Sequence, residues 1–377
     1  MERSISTLIK QPSSSALHHL PDYGVAIEYS AMWESMSAYP GLDWSTFLNS
    51  QLDSFTSSPS SPAYMFLHNI TIPWGYSVGD TTGLFPIAYL SRALYNNNTD
   101  LSSVDWRLAL GIAEEYVLGW PIKFDGTISR HAGWFGEPDA NGSFLWMDDQ
   151  FMGMALLARL ARHDAVPMAT RRRYQDFLAS QHANFAALCQ DKERGLYKHG
   201  FNGATGDHSC CFWGRANGWV MMSHAEVALA LEASGGGAAH PALPAVLEVW
   251  RQHAEALVAL LPPPGSTDTR LNQVLDNSET FHETSVTAMA CYSIATGLSH
   301  GFLPVEKFSA PLSALYNGVA GALSDNGEVQ GICEGTGIGN NTAFYEARRT
   351  FFNLSSPGLG SVFRCALAIE KYISHKV

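Results

Sequence analysis

Apolar positions recur at three- and four-residue intervals from about Asp22 to the end of the chain, so the pattern is helical nearly throughout. It predicts helices near 22–38, 43–56, 80–95, 103–118, 148–162, 169–188, 215–233, 242–261, 281–297, 304–322 and 357–373. Strand-like alternation is confined to short loop segments such as Phe124–Ile128. The chain is expected to be all-α. Its helices have two textures, and these alternate. Those near 148–162, 215–233 and 281–297 are apolar or small on nearly every face. Their successors carry one stripe, as Tyr174, Phe177, Leu178, Phe185 and Leu188 do in 169–188. A helix apolar all round belongs inside, and one with a single stripe belongs outside. The alternation describes a toroid of helical hairpins.

A weak internal repeat agrees with that. Asp80, Asp148, Arg215 and Glu283 each stand at or near the start of an apolar helix, 67 or 68 residues apart. Hairpins strung in one sense would bring those starts to the same end of a barrel. Polar groups and positive helix termini gathered there suit an anionic ligand. Eleven helices leave a sixth hairpin incomplete, its missing member expected in the N-terminal arm or in Gly331–Ala347. No Pro/Ser-rich linker divides the chain, so a single domain over 22–377 is expected, preceded by a loosely packed arm over 1–21.

Composition changes the picture in two places. Apolar residues are 46% and charged residues 15% of the chain, which supplies a sizeable core and argues against extensive disorder. A net charge of −12 argues against a nucleic-acid partner. It leaves room for an anionic small substrate, because one local Arg outweighs a diffuse field. No stretch approaches the roughly 18–20 apolar residues of a membrane span. The first twenty residues are polar and Ser-rich, which points to the cytoplasm, whereas Asn-x-Ser/Thr triplets at Asn69, Asn97, Asn141, Asn340 and Asn353 point weakly toward secretion. The six cysteines show no C-x-x-C spacing and are expected as buried free thiols. Oligomeric state leaves no mark on the sequence.

Chemistry concentrates in a few stretches. Trp146-Met-Asp148-Asp149-Gln-Phe-Met152 sets two carboxylates before a long apolar run, where an acid is either a helix cap or a reagent. Trp213-Gly-Arg215-Ala-Asn-Gly-Trp219 places flat aromatic faces beside a bidentate cation, which suits a sugar carrying a carboxylate. A tight Gly turn packed by aromatics explains the same letters. His131 and His199 lie in loops rich in Gly and aromatics, a setting in which a histidine is most often structural. His282-Glu283 lacks the second histidine of a zinc-protease helix, and the Gly-rich run from Gly331 has no strand before it, so neither is a metal or dinucleotide motif. The histidines are scattered, and no metal or cofactor is expected.

In this order the motifs resemble the unsaturated rhamnogalacturonyl hydrolases of glycoside hydrolase family 105, relatives of the unsaturated glucuronyl hydrolases of family 88. Gly79-Asp80-Thr-Thr-Gly83, His131, Trp146–Met152, Tyr197–His199, Trp213–Trp219, Glu283–Ala288 and Gly358–Glu370 carry the resemblance, over roughly 22–373. It implies an (α/α)6 barrel acting on oligosaccharides that end in a 4,5-unsaturated uronate. Such enzymes hydrate the enol ether instead of cleaving the glycosidic bond directly. By resemblance, Asp148 is the general acid and base, Asp80 the second carboxylate and His199 the assisting histidine. His131, Trp213, Arg215 and Trp219 match substrate contacts, with Arg215 holding the uronate carboxylate and Asp149 acting as a cap or support. Ser355-Ser-Pro357 lacks the His-Gly of many members, a departure at the floor of the subsite. Competing readings are a family 88-like glucuronyl hydrolase, a metal-dependent terpene-synthase-like barrel built on Asp148-Asp149, and a non-catalytic carbohydrate-binding toroid.

Overall fold

The computed structural model describes residues 23–39, 41–72, 84–124, 126–129, 144–233, 238–325, 327–351 and 356–374. Helices α1 (Tyr23–Ala38), α2 (Ser45–Ser57), α3 (Pro62–Leu67), α4 (Phe85–Tyr95) and α5 (Val104–Ile112, continued by a π-helical turn Ala113–Val117) open the fold. They are followed by α6 (Asp149–Met152), α7 (Ala155–Leu160), α8 (Met168–Cys189), α9 (Gly214–Glu232) and α10 (Leu243–Val258). The last four are α11 (Thr284–Ser299), α12 (Val305–Gly321), α13 (Thr342–Glu346) and α14 (Ser356–Ser374).

Six of these positions close a ring. α1 packs on α4, α4 on α7, α7 on α9, α9 on α11, α11 on α14, and α14 returns to α1. The ring helices run in the same sense where side chains register them. Arg215 meets Ser285 and Ser293 meets the carbonyl of Met221 across α9 and α11, and Arg364 meets Ser30 across α14 and α1. Burial follows the two textures. α9 is buried at nearly every position to Leu231, whereas α10 buries only a stripe of Leu243, Val246, Trp250, His253, Ala254 and Leu257. Close approach of ring helices needs small residues. A Cβ on Gly360 would stand 2.9 Å from the backbone nitrogen of Glu28. The architecture is the six-hairpin (α/α)6 toroid.

Helices α2, α5, α8, α10 and α12 form the outer layer among the described residues. The sixth ring helix, α14, has no outer partner there. Gly331–Ala347 does not supply one: it forms strand β6 and the short α13 beside the site. The arm over 1–21 lies outside the described residues. One expected helix, 148–162, is interrupted at Gly153–Met154 into α6 and α7, where a Cβ on Gly153 would stand 2.6 Å from Ile128.

Among the described residues, seven short strands lie in the loops: β1 (Ile122–Lys123), β2 (Thr127–Ile128), β3 (Phe144–Trp146), β4 (Gly200–Asn202), β5 (Asp207–His208), β6 (Ile332–Cys333) and β7 (Thr350–Phe351). They pair as β1–β2, β3–β4–β5 and β6–β7, all antiparallel. No helix of the described residues is long and apolar enough to cross a membrane.

The thiol expectation holds for Cys189 and Cys333 and fails for the other four cysteines. Cys210 and Cys211 form a disulfide, and Cys291 of α11 is bonded to Cys365 of α14. Ring packing brings the last pair to a Cα separation of 5.5 Å across 74 residues, a proximity no local spacing encodes.

At the C-terminal end of the ring helices lies a cavity of about 370 Å³, away from Asp148. Arg159 bridges Glu34 (2.6 Å) and Glu226 (3.0 Å), Arg162 pairs with Glu226 (2.6 Å), and Arg364 lies 3.3 Å from Glu34. Burial alone would raise the Glu34 carboxyl, but the Arg159 and Arg364 guanidiniums win and hold it at about 2. Cations here also answer the negative ends of the surrounding helices. This network closes the base of the barrel.

Candidate active site

The site is built by a strand ladder at the N-terminal end of the ring. Trp146 pairs with Gly200 in β3–β4, and the Met147 N–H donates to the His199 carbonyl at 3.0 Å. Asp148 follows β3 and His199 precedes β4, so the ladder carries two residues 51 positions apart to the same place. His199 Nε2 stands 3.5 Å from Asp148 Oδ1. Asp148 is 7% exposed and His199 fully buried. Neither facing atom completes a hydrogen bond among the described residues.

Asp148 occupies the N-cap position of α6, yet its side chain makes no capping bond. The capping role that the sequence allowed for this carboxylate is therefore not realised. The following helix has only four residues, so it adds little dipole field. The neighbouring Asp149 is fully buried.

Aromatic walls enclose the imidazole. Trp213 lies 4.5 Å from the His199 ring centroid, Tyr345 5.7 Å and Trp146 5.8 Å. His199 Nδ1 is 2.8 Å from Tyr345 Oη, which also accepts the Gly339 N–H at 3.0 Å. Burial pushes the Tyr345 phenol up, with the nearby Asp148 charge acting in the same direction, so Tyr345 is a neutral group.

Arg215 is 1% exposed and engaged from several sides. It donates to Ser285 Oγ (3.0 Å) and to the Cys333 carbonyl, and lies 3.4 Å from Glu283 Oε1. Burial works against its charge, but Glu283 prevails and pushes its pKa up. Nη1 is the donor left without a partner among the described residues. Glu283 caps α11 through the Val286 N–H at 2.8 Å and also accepts from the Cys333 N–H at 2.9 Å. Two positions of the internal repeat, Arg215 and Glu283, thus form an ion pair, and a third, Asp148, places its carboxylate beside His199.

The remaining expected residues divide. Trp213 is in the site, 2% exposed, with the Arg215 guanidinium 5.5 Å from its ring. Trp219 is not brought to an open face: Phe151 stacks on it at 5.2 Å, Tyr23 meets its edge, and it is fully buried in the core. Asp80 and His131 lie outside the described residues.

Sequence reasoning missed Tyr345, which stands in the five-residue helix α13 just after a Gly-rich run, too short a helix to give a periodic signal. It also missed a support chain behind the site. Asn217 Oδ1 accepts the Tyr197 N–H (2.9 Å), and its amide donates to the carbonyls of Tyr197 and Trp213 at 3.0 Å each. Behind Asn217 run three fully buried histidines: His253 Nε2 at 3.1 Å from its Oδ1, His224 Nε2 at 3.2 Å from His253 Nδ1, and His182 Nε2 at 2.7 Å from His224 Nδ1. Because Asn217 Oδ1 can only accept, every ring in the chain carries its proton on Nε2.

The six-hairpin (α/α)6 toroid thus sets an uncapped carboxylate against an imidazole between tryptophan rings. The chain belongs to Glycosyl Hydrolase Family 88, whose profile matches residues 114–372. It is 27% identical over 237 residues to the unsaturated rhamnogalacturonyl hydrolase YesR of Bacillus subtilis (strain 168), a match covering 62% of this chain and 61% of that protein. To the unsaturated 3S-rhamnoglycuronyl hydrolase of Alteromonas sp. (strain LOR) it is 26% identical over 187 residues, 49% of this chain and 42% of the relative. The matches therefore span less than two thirds of these relatives. In fold the chain is similar to a family 105 glycoside hydrolase of C. acetobutylicum ATCC 824, with a TM-score of 0.76, 17% identity and 98% coverage of both chains. It is also similar to the unsaturated glucuronyl hydrolase of Bacillus sp. GL1, with a TM-score of 0.62 and 12% identity over 93% of this chain and 85% of the other.

Proposed function

We propose that the protein removes a 4,5-unsaturated uronate from the non-reducing end of lyase-generated oligosaccharides of the rhamnogalacturonan type. The observation that carries the proposal is the buried, uncapped Asp148 carboxyl with Oδ1 3.5 Å from His199 Nε2. In this reading Asp148 delivers a proton to C4 of the enol ether, and water adds at C5 as Asp148 takes back a proton. The C5 hemiketal opens, and the hemiacetal exposed at C1 releases the attached sugar. One acid serving in both directions suffices, so the paired carboxylates of ordinary glycosidases are not required. Trp213 offers a face to the sugar, and Nη1 is the donor with which Arg215 meets the uronate carboxylate. The activities of the two relatives, an unsaturated rhamnogalacturonyl hydrolase and an unsaturated 3S-rhamnoglycuronyl hydrolase, support the substrate class.

The test follows the ultraviolet absorbance of an unsaturated rhamnogalacturonan disaccharide. Wild-type protein is expected to bleach it and Asp148→Asn to leave it intact. Bleaching by both would remove Asp148 from the role of donor. Silence from wild type on this substrate, with activity on unsaturated glucuronyl disaccharides, would move the leaving sugar. Silence on both would favour a binding toroid.

A further inference from the structure

We infer that Tyr345 is a positioning residue that fixes the tautomer of His199, so that an N–H and not a lone pair faces Asp148. The inference rests on the reading of Asp148 as proton donor and extends it to the residue that keeps the proton there.

The argument starts from the single proton on Tyr345 Oη. The Gly339 N–H already donates to this oxygen at 3.0 Å, so the hydroxyl must turn its own proton elsewhere. Two acceptors lie within hydrogen-bond distance, His199 Nδ1 at 2.8 Å and the Gly339 carbonyl at 3.5 Å, while the Ser209 hydroxyl, which already accepts the Gly200 N–H at 3.1 Å, faces the phenol as a donor. The first is an ordinary hydrogen-bond length and the second is at the limit, so the proton goes to Nδ1. A neutral imidazole accepting at Nδ1 carries its hydrogen on Nε2, the atom 3.5 Å from Asp148 Oδ1. His199 is fully buried between Trp146, Trp213 and Tyr345, so Tyr345 Oη is the partner that meets Nδ1 there.

The consequence is chemical. A bare Nε2 lone pair facing Asp148 would accept the acid's proton and remove it from the substrate. An Nε2–H cannot accept it. It instead offers a donor to the carboxylate that appears as C4 is protonated, a contact that strengthens in the transition state. Tyr345 is itself held by Gln273, whose amide donates to the Tyr345 carbonyl at 2.8 Å, and α13 is capped by Asn341. The loop over 331–350 thereby reaches the acid through one hydroxyl.

Two readouts test this. Ring 15N–1H spectra of histidine-labelled protein, with the His199 signals assigned by their loss in His199→Asn, are expected to show an Nε2–H tautomer in wild type. Tyr345→Phe is expected to mix the tautomers and to lower kcat about 10- to 100-fold, the usual scale for losing an orienting partner, with KM nearly unchanged. An Nδ1–H tautomer in wild type overturns the inference. So does wild-type kcat in Tyr345→Phe, or a fall in kcat with the tautomer unmoved. The spectra need no substrate. Failure of the proposed activity therefore shows as silence of wild type in the absorbance assay, separately from the tautomer.

Discussion

Lowering the pH from 6 to 5 should destabilise this protein through the buried histidine chain. Burial holds His182 at about 4 and His253 at about 3, against 6.5 for the free side chain. His224 lies well below 6.5 for the same reason, helped by repulsion from its two neighbours. In each case the folded value is below the unfolded one, so the unfolded chain binds the extra proton first. The stability these groups contribute is complete above pH 6.5 and is lost as pH falls toward the folded values. Between pH 6 and 5, each histidine costs about 1.2 kcal/mol, or about 4 kcal/mol for the three. Unfolding entropies of about 2.1 cal/mol/K per residue convert this, for 377 residues, to a fall in Tm of about 5 °C. Glu34, held at about 2, stays ionised in the folded protein throughout this window, and the unfolded chain's slight proton uptake there adds only about 0.1 kcal/mol. The assay is calorimetric melting at the two pH values and constant ionic strength, with His253→Gln alongside. Glutamine can both donate to Asn217 and accept from His224 without titrating, so the fall should shrink by about a third. An unchanged Tm between pH 6 and 5, or an equal fall in the variant, would refute the linkage.

Other perturbations probe the rest of the fold. Glu226→Gln leaves Arg159 and Arg162 facing a neutral side chain at the base, and should cost about 3–5 kcal/mol in denaturant titrations while sparing kcat. Gly360→Ala drives a Cβ against the α1 backbone and should cost about 1–3 kcal/mol. Gly321→Ala, with nothing within 4 Å, should be neutral or stabilising by up to about 1 kcal/mol in the same measurement. Peptide mapping under non-reducing conditions should recover Cys291 linked to Cys365 and Cys210 linked to Cys211, with Cys189 and Cys333 free to alkylate after unfolding. Such pairs persist in oxidising compartments, so the map also bears on where the protein works. In activity assays, Asp148→Asn should abolish turnover while leaving the melting curve close to wild type, since its carboxyl caps nothing.

Much of this architecture was legible in the letters, and the reason is that helical amphipathicity is local. Whether α9 is buried on all sides or α10 on one follows from residues three and four apart, and the sequence carries both patterns intact. The 67- and 68-residue spacing that pairs Arg215 with Glu283 and sets Asp148 just ahead of α6 and α7 is visible for the same reason. The acid itself stood out as a carboxylate between a tryptophan and an apolar run.

Tertiary structure decided what those letters do, because each remaining feature depends on register across long separations. The β3–β4 ladder turns Asp148 toward His199. Ring closure joins Cys291 to Cys365 and sends Trp219 into the core against Phe151, although it shares a motif with Trp213 in the site. Arg215 reads in sequence as a bidentate cation beside aromatics, but the loop at Cys333 and the cap of α11 hold most of its donors. Tyr345 and the histidine chain carry no pattern at all, since a hydroxyl or an imidazole acquires its role only from the atom that packing sets within about 3 Å of it.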